Sequence, residues 1–438
     1  PWRDLLESKQ QQPRPRTSKF WPSNVFYGWA IVLTGLVASF GMVPVFGPVL
    51  GVFIKPIEQE LGWSRATISM AFTIGSLTGT LSTFAFGRLI DRYGSRVMVV
   101  VAGGIISGSM IVLAYMQEPW QFWIAFGAGR GAAIAGIHVA VTVTIANWFI
   151  KRRGRAVALR GIGQRAGQSL VPLLIIAIIS VASWRAAFLA LACFTAVTII
   201  LPGALYLRRR PEDIGLQPDG MLQTTKSTDI SPKIGRFSRA AHDYSWTLAE
   251  ARRMRTFWIL VLFTAMERFC LGSINLHMVV SFQDRGLSDV LAVSVLSIFA
   301  ATSALTGLPW GLLLERIHVR YGAMLVSILL AMSMLIIMTA EDYPSAIAFG
   351  LLFGLAVGGT TILENLLFAE YFGRGSLGAI RGYAAPFRSF APLGPLITGF
   401  LRDETGSYLL PFMFFFLTFL FIAMLMAMAK PPTPPLED

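Results

Sequence analysis

Charged residues, cysteines and histidines are all scarce in this chain, and each shortage excludes a class of protein. Only 14% of the 438 residues are charged, whereas soluble domains carry about 25%. The two cysteines, Cys193 and Cys270, lie inside predicted helices and give neither a disulfide framework nor metal-ligand spacing. The four histidines are scattered, without a nucleophile–base, metal or phosphate-loop pattern. We therefore expect buried, inert thiols, no metal, no cofactor and no enzymatic activity.

Long apolar blocks are what the chain has in abundance. Hydrophobic residues make up 54% of it, and the mean hydropathy is +0.61. The blocks approach the roughly 20 residues that a helix needs to cross a bilayer, and short alternating barrel segments are not seen. The predicted fold class is an all-α membrane protein with twelve transmembrane helices in the lipid bilayer. The predicted spans are 27–51, 66–87, 97–115, 120–147, 156–181, 184–207, 256–281, 290–314, 321–340, 344–371, 377–400 and 408–429.

The formal net charge of +13 follows this topology. With the N-terminus in the cytoplasm, 26 of the 37 Lys and Arg residues fall in cytoplasmic segments, 5 in external loops and 6 in helix interiors. This positive-inside bias sets the orientation. It predicts a multi-pass protein of the plasma membrane, in bacteria the inner membrane, with both termini cytoplasmic. Nucleic-acid binding is the weaker interpretation of the charge, so we expect a monomer without a nucleic-acid partner.

A hydrophilic stretch and an internal repeat divide the chain into two halves. The predicted domains are an N-terminal tail (1–26), a six-helix bundle (27–207), a cytoplasmic linker (208–255), a second six-helix bundle (256–429) and a C-terminal tail (430–438). The segment Gly87-Arg-Leu-Ile-Asp91-Arg92 corresponds to Gly311-Leu-Leu-Leu-Glu315-Arg316 in the second half. Parallel repeats of this kind are one transporter architecture, with the binding site near the midplane between the halves.

Two arginines occupy matching places in these halves. Arg165 and Arg388 are 223 residues apart, and each lies about ten residues into an apolar segment. An arginine at the bilayer centre costs roughly 2.5–3.5 kcal/mol on insertion scales, and its planar fork matches a carboxylate with two hydrogen bonds. Two forks from opposite halves would hold one dianion, or two carboxylates, between the bundles. The alternative is that each arginine is paired with a carboxylate or with backbone carbonyls inside its own half.

Further polar side chains are predicted at depth. Glu267 and Arg268 lie about twelve residues into the seventh helix, where neighbours differ by about 100° and cannot share a face. Glu267 is the deepest predicted acid, and burial favours the protonated form of a carboxyl. It is a candidate proton carrier or a permanent partner of an arginine, while Arg268 adds to the positive field. His138, two turns after Arg130 on the fourth helix, is a substrate contact or a packing residue.

Three other residues are predicted closer to the cytoplasmic face. Arg160 and Arg381 lie nearer the cytoplasmic ends of their helices, where long side chains reach the interface. Glu364 is at a similar depth and is the predicted partner of Arg381. We interpret Arg160, Glu364 and Arg381 as an inner gate or as structural residues. Tyr383, five residues before Arg388, provides either a cavity hydroxyl or a packed core ring.

The sequence resembles the major facilitator superfamily over essentially the whole chain. Gly87–Arg96 is similar to the loop motif Gly-x-Leu-x-Asp-Arg-x-Gly-x-Arg that follows the second helix in that family. Within it, the chain resembles the monocarboxylate and oxalate/formate transporter group. That likeness is carried by Gly28-Trp29, Gly62-Trp63-Ser64-Arg65, Trp148-Phe149 with Lys151-Arg152-Arg153, Trp184-Arg185 and the segment 210–220.

The resemblance implies two pseudo-symmetric six-helix bundles that alternate access, with the fifth and eleventh helices lining the cavity. It implies a proton-related or ion-pair role for Arg130, and a gating role for the loop motif residues Gly87, Asp91, Arg92, Gly94 and Arg96. A solvated topology determinant is the alternative for the motif.

Two departures from the family pattern bear on the substrate. Many members carry Asp and Arg in the eighth helix, whereas Leu291–Leu314 contains neither. The fifth helix usually shows small or apolar residues at the positions of Arg160 and Arg165. The basic groups are redistributed, so monocarboxylate specificity does not simply carry over.

The predicted function is secondary active transport of a small organic anion, a mono- or dicarboxylate, as a proton symporter or an anion exchanger. Protons are therefore a second candidate partner. The predicted substrate-binding residues are Arg165, Arg388, Arg268, Tyr383 and His138. Transport of phosphate esters or sulfonates by the same fold is an alternative. A non-transporting membrane ligand sensor is a rival from another class.

Overall fold

The computed structural model describes residues 26–149, 152–217, 219, 246–373 and 376–432. All regular elements in these ranges are helical. The tail 1–25, most of the linker 208–255 and the end of the C-terminal tail lie outside the described residues. The domain limits drawn from the sequence therefore stay predictions.

Twelve helical segments account for most of the described chain, and ten of them are long and apolar enough to cross a membrane. The other two are α2 and α11, so the twelve predicted segments are confirmed as helical. Their bounds are α1 (Gly28–Leu61), α2 (Arg65–Tyr93), α3 (Ser95–Ala114), α4 (Pro119–Trp148), α5 (Arg153–Val181), α6 (Trp184–Tyr206), α7 (Arg255–Asp284), α8 (Asp289–Leu314), α9 (Val319–Thr339), α10 (Tyr343–Phe372), α11 (377–405) and α12 (Leu409–Met428).

Two segments differ from the continuous helices that the sequence predicts. The first continues to Leu61, ten residues beyond its predicted end, and contains a 3-10 turn at Val43–Val45. The eleventh is broken into Leu377–Ala384, a 3-10 turn at Ala385–Arg388, and Leu393–Thr405. Proline has no N–H to donate and its ring clashes with the preceding turn. Three prolines between 386 and 395 explain the second break, which places Arg388 in a turn instead of a regular helix.

The two halves pack their helices in equivalent ways. In the first half α2 packs on α4, α3 on α6 and α1 on α5. In the second half α8 packs on α10, α9 on α12 and α7 on α11. Each contact in one half has its counterpart six helices later. The described chain therefore forms two pseudo-symmetric six-helix bundles, as the repeat predicts.

Three helix pairs join the bundles, namely α1 with α7, α2 with α11 and α5 with α8. The α5–α8 pair is held by a reciprocal contact. Ser169 Oγ donates to the carbonyl oxygen of Ser297 at 3.2 Å, and Ser297 Oγ donates to that of Ser169 at 2.6 Å. Because each serine serves the other helix's backbone, the two backbones approach closely in the middle of the molecule.

The two cysteines have different environments. Cys270 is buried, but Cys193 is exposed on α6. The expectation of two buried thiols is therefore wrong for Cys193. Helical periodicity alone does not distinguish a face that packs inward from a face that meets lipid, because both are apolar.

Candidate functional site

Arg165 links the two bundles near the middle of α5. Its Nη2 donates to Thr361 Oγ1 on α10 over 2.9 Å, a contact that joins residues 196 positions apart in the sequence. The Arg165 side chain is half-buried and Thr361 is exposed. The guanidinium therefore crosses from one bundle to the other instead of being satisfied within its own half.

Thr361 stands one helical turn from a charged pair. Glu364 Oε2 accepts from Arg268 Nη2 at 2.7 Å, and the two side chains are 25% and 47% exposed. Residues three apart on a helix are neighbours on its surface. Arg165, Thr361, Glu364 and Arg268 thus form a polar path from α5 through α10 to α7.

Arg388 adds a third guanidinium to this group. It lies half-buried in the broken segment of α11, and its charge interacts with Arg268, Glu364 and Arg381. Its guanidinium makes no hydrogen bond or ion pair with any residue that the structure describes. We call Arg165, Arg268, Thr361, Glu364 and Arg388 the central cluster; three cations here face one carboxylate.

Arg381 contacts Glu364, its predicted partner, but through the backbone and not through the carboxylate. The carboxylate pairs with Arg268, while Arg381 Nη2 donates to the backbone carbonyl oxygen of Glu364. Both arginines are thus held at the same turn of α10, one by the side chain and one by the main chain. Sequence spacing could not choose between them, because α7 and α11 approach α10 from different directions.

Glu267 lies on the buried face of α7. It is 1% exposed, and its Oε1 has no hydrogen-bond partner in the structure. The charges that interact with it are those of Glu364 and Arg268. Of the two orientations that the sequence leaves open, Arg268 therefore takes the exposed face of α7 and Glu267 the buried one. A buried carboxylate with an unpaired oxygen is costly in its charged form.

Arg130 is buried inside the first bundle. Its Nε donates to Ser76 Oγ at 2.8 Å, and its Nη1 donates to the Val45 carbonyl oxygen at 2.7 Å. The guanidinium carbon lies 3.9 Å from the centroid of the Phe72 ring. Arg130 forms no ion pair with a described residue, which corrects that part of the prediction. The 3-10 turn in α1 leaves the Val45 carbonyl available to accept this bond.

Contrary to the prediction, the Arg160 side chain is buried and does not reach the membrane–water interface. It is 6% exposed; its Nε donates to Ser39 Oγ at 3.0 Å and its Nη1 to Thr142 Oγ1 at 2.7 Å. Hydroxyls on α1 and α4 satisfy it within the first bundle. His138 is exposed at the end of a π-helical stretch of α4, Ala132–His138, and it interacts electrostatically with Arg160.

Tyr383 lies in a group of aromatic side chains. Its ring centroid is 6.1 Å from that of Phe257, 6.5 Å from that of Trp258 and 6.2 Å from that of Phe387. The side chain is 38% exposed. These contacts favour the packed-ring interpretation, with one edge of the ring left accessible.

The loop motif lies where α2 ends and α3 begins. Gly94 has φ of +84°, a left-handed value that favours glycine, and Arg92 and Arg96 are exposed. The Arg92 guanidinium carbon is 5.3 Å from the centroid of the Tyr93 ring. A Cβ added at Gly87 would have no other described atom within 4 Å. The Asp91 side chain lies outside the described part of the chain. The gating role of the motif stays a prediction.

A second polar network was not predicted from the sequence. It occupies the end of the molecule that carries the loops 62–64, 285–288 and 406–408, which we call the closed end. Arg65 is its hub: the guanidinium is 2% exposed, pairs with Glu58 at 2.9 Å and with Asp284 at 2.6 Å, and donates to the Tyr408 hydroxyl at 3.1 Å. Glu58 belongs to the first bundle, whereas Asp284 and Tyr408 belong to the second.

Asp403 reinforces the closed end from α11. Its carboxylate accepts from the backbone N–H groups of Arg65 at 3.1 Å and Ala66 at 2.8 Å. A carboxylate at a helix N-terminus satisfies donors that have no partner within the helix. Ser64, the N-cap residue of α2, accepts from the Thr67 N–H at 3.2 Å, and Asp403 of the other bundle accepts from the two N–H groups before it. The only sequence signal was the Gly62-Trp63-Ser64-Arg65 motif, to which no role had been assigned.

The bundles are joined on one side of the molecule. Every hydrogen bond that links them through described side chains lies between the closed end and the central cluster. The central cluster therefore lies at the boundary of the region in which hydrogen bonds join the two bundles.

The chain was compared with known proteins. A model of the Major Facilitator Superfamily matches residues 30–393 and 257–438. The chain is 25% identical over 397 residues to the uncharacterized MFS-type transporter YcxA of Bacillus subtilis (strain 168), which covers 87% of this chain and 90% of that protein. It is 22% identical over 411 residues to monocarboxylate transporter 2 of Mesocricetus auratus, with 88% and 80% covered.

Solved structures share the fold. The nucleoside transporter NupG superposes with a TM-score of 0.69 at 14% identity, covering 91% of this chain and 99% of that one. A bacterial homolog of the human lysosomal transporter Spinster, inward-facing and occupied, gives 0.66 at 15% identity, with 92% and 96% covered. At such identities the likeness carries the fold alone. With the family match over most of its length, the chain belongs to the major facilitator superfamily and is a multi-pass membrane transporter.

Proposed function

We propose that this transporter carries a small organic anion, a mono- or dicarboxylate, bound between the bundles at the central cluster. The observation that supports this most directly is the position of Arg165, which reaches across to Thr361 one turn from the Arg268–Glu364 pair. The charge of Arg388 interacts with the same Arg268–Glu364 pair, and its guanidinium has no hydrogen-bond partner among the described residues. Three cations against one carboxylate favour anions and disfavour cations.

Arg165 and Arg388 are the proposed clamp, one from each bundle. A carboxylate would replace Thr361 as the acceptor of Arg165 and would give Arg388 the partner it lacks. Charge-assisted hydrogen bonds of this kind are about twice as strong as neutral ones. The bound anion would also offset the repulsion among the three guanidinium groups, which would let the bundles move together. His138 and Tyr383 are proposed as outer contacts, since both side chains are partly accessible.

The direction of opening follows from the topology that we propose. With both termini in the cytoplasm of a bacterial cell, the closed end faces outward and the central cluster is reached from inside. Arg65, Asp284 and Asp403 would then form the outer gate. Opening that end while the loop motif closes the other would carry the anion across the membrane.

Two coupling schemes are compatible with this site. In a proton symporter, Glu267 would take up the proton, since it is buried and one of its oxygens has no donor. In an anion exchanger, the Arg268–Glu364 pair would hold the empty site together and no proton carrier is needed. Relatives named monocarboxylate transporters make carboxylates the first class to test.

A decisive experiment combines binding and uptake with single-charge variants. We expect small carboxylates to raise the melting temperature of the purified protein and to be taken up into proteoliposomes. Arg165→Gln and Arg388→Gln should each remove both effects, because a hydrogen bond to a charged group contributes about 1.5–3 kcal/mol. Arg155→Gln is the matched control, since this exposed arginine lies on the same helix ten residues before Arg165. Near-normal uptake in both cluster variants would exclude the clamp.

The same panel discriminates the alternative substrates. Phosphate esters and sulfonates also suit a pair of arginine forks. Stabilisation by those anions without stabilisation by carboxylates would move the assignment to them. Binding of any anion without flux would favour a membrane ligand sensor.

A further inference from the structure

His277 is a fully buried histidine of α7 that joins the bundles at the closed end. Its Nε2 lies 2.9 Å from the carbonyl oxygen of Pro395 on α11 and 3.2 Å from Ser69 Oγ on α2. Its Nδ1 lies 3.0 Å from the Tyr408 hydroxyl, which precedes α12. Since Ser69 belongs to the first bundle and the other two partners to the second, the imidazole bridges the halves.

The partners fix the tautomer of the neutral ring. A carbonyl oxygen only accepts, so Nε2 must carry the hydrogen that it donates to Pro395. Nδ1 then presents its lone pair and accepts from the Tyr408 hydroxyl. That hydroxyl oxygen in turn accepts from Arg65 Nη1 at 3.1 Å. The closed end thus contains a directed chain from Arg65 through Tyr408 and His277 to Pro395, and it requires a neutral imidazole.

A second proton on His277 disrupts this chain. Nδ1 would become a donor, and the Tyr408 hydroxyl would lose the acceptor for its hydrogen. The imidazolium would also add a positive charge near the buried Arg65 guanidinium. The charged groups that act on His277 are Arg65 on α2 and Asp284 on its own helix. Asp284 is already shared between Arg65 and Arg402 of α11, and Glu58 of α1 is paired with Arg65, so neither carboxylate is free to neutralise the new charge.

We propose that His277 is a proton-operated lock on the closed end: the neutral ring holds the two bundles together, and the protonated ring lets them separate. Acid on that side of the membrane would therefore favour opening. The lock is distinct from the coupling carboxyl proposed for the transport cycle. Glu267 lies ten residues earlier on α7, about 15 Å along the helix axis. The lock depends on no particular substrate, so it stands or falls separately from the anion assignment.

The test measures the closed end directly, in the full-length protein without any anion. Spin labels are attached to cysteines at the exposed positions Gln59 and Glu404, one on each bundle beside the closed end. The background carries Cys193→Ser and Cys270→Ala. Distance distributions are recorded in lipid nanodiscs between pH of about 8 and about 5, the range in which histidine titrates.

We expect the longer-distance population to grow as the pH falls. Release of the lock by one proton changes the ratio of open to closed molecules by at most about tenfold per pH unit. His277→Gln can still donate to Pro395 but cannot be protonated, so its distribution should not change with pH. His318→Gln is the matched control, because this other histidine lies at the opposite end and caps α9. It should keep the full response of the parent protein.

A second variant tests the proposal even if His277→Gln fails to fold. Tyr408→Phe removes the donor to Nδ1 and leaves the imidazole in place. Opening should then occur at a pH higher by about one unit, since one hydrogen bond contributes roughly 1 kcal/mol. A pH response that survives in His277→Gln, a parent protein whose distances do not change with pH, or an unshifted response in Tyr408→Phe would each overturn the lock. None of these outcomes bears on anion binding, whereas loss of binding in Arg165→Gln would leave the lock intact.

Discussion

At the scale of single residues, the arginines inside the helices differ in what satisfies them. Arg130 and Arg160 are buried and donate to hydroxyls and a carbonyl of their own bundle. Arg165 instead reaches the opposite bundle, and the Arg388 guanidinium has no hydrogen-bond partner among the described residues. For Arg130 and Arg160, these hydrogen bonds inside the first bundle offset the cost of placing a cation in the membrane. For the Arg388 guanidinium we propose that the transported anion offsets this cost.

Glu267 provides the residue-scale test of coupling. We expect Glu267→Gln to abolish uptake driven by a pH gradient and to leave anion exchange intact, because the amide cannot carry a proton. The variant should also be at least as stable to heat as the parent, since it removes a buried carboxyl with an unpaired oxygen. Uptake into proteoliposomes with and without a pH gradient measures both modes.

The control for this variant is Glu341→Gln, an exposed carboxylate between α9 and α10. It should transport as the parent does in both modes. An unchanged pH dependence in Glu267→Gln would remove the proton-carrier role and favour exchange.

At the scale of elements, α5 is positioned by close backbone contact with α1. A Cβ added at Gly163 would lie 2.1 Å from the carbonyl oxygen of Leu36 and 2.8 Å from its carbonyl carbon. Gly161, two residues earlier, has open space around it. Close packing of α5 on α1 therefore requires glycine at position 163 but not at position 161. Because Arg165 follows Gly163 by two residues, this contact also sets the depth of its guanidinium.

Alanine substitutions at these two glycines form a matched pair. Gly163→Ala should lower stability by about 1–3 kcal/mol, the usual cost of overpacking, since a backbone carbonyl cannot move aside as a flexible side chain can. Gly161→Ala should be neutral or stabilising, because alanine favours a helix by up to about 1 kcal/mol over glycine. Thermal unfolding in detergent measures both. Equal melting temperatures would show that α1 and α5 adjust without cost.

At the scale of the whole molecule, a network of charged side chains at the closed end joins the two bundles. Asp284 receives bonds from Arg65 and Arg402, and Asp403 caps α2 across the boundary between bundles. A buried charge that loses its partner is expensive. Separation of the bundles must therefore break this network as one unit, which favours two discrete states over a continuous range.

Asp284→Asn should shift the molecule toward the state in which the closed end is open. We expect the ratio of open to closed molecules to rise roughly tenfold at fixed neutral pH, equivalent to about 1.4 kcal/mol, because Arg65 keeps only Glu58 as a charged partner. The spin-label pair at Gln59 and Glu404 reports this ratio.

Asp289→Asn is the control at the same end. This carboxylate is 53% exposed and lies 3.9 Å from Lys55 of the first bundle, a long and exposed ion pair of little expected value. Its hydrogen bond from Gln283, at 3.0 Å, stays within the second bundle, and an asparagine oxygen can still accept it. Equal effects of the two variants would contradict the role of Arg65 as hub.

The sequence by itself determined the architecture and the depth of the charges. Apolar runs of sufficient length must become helices in lipid, because no water is there to satisfy an open backbone. The repeat that relates Gly87 to Gly311 predicted equivalent packing in the two halves, and the spacing of Arg165 and Arg388 predicted cations at similar depth. Each of these inferences depends on residues close together in the chain, or on the comparison of one half with the other.

Only the tertiary structure decided which charge meets which partner. Helical spacing could show that Glu267 and Arg268 face different ways, but not that Arg268 takes Glu364 and leaves Arg381 with a carbonyl. It could not show that Asp403 would cap α2, or that Tyr408 and His277 would join Arg65. Such partners lie on helices up to hundreds of residues apart, and a displacement of one helical turn, 5.4 Å, exchanges one partner for another. That displacement is set by packing over the whole interface, and the local sequence does not record it.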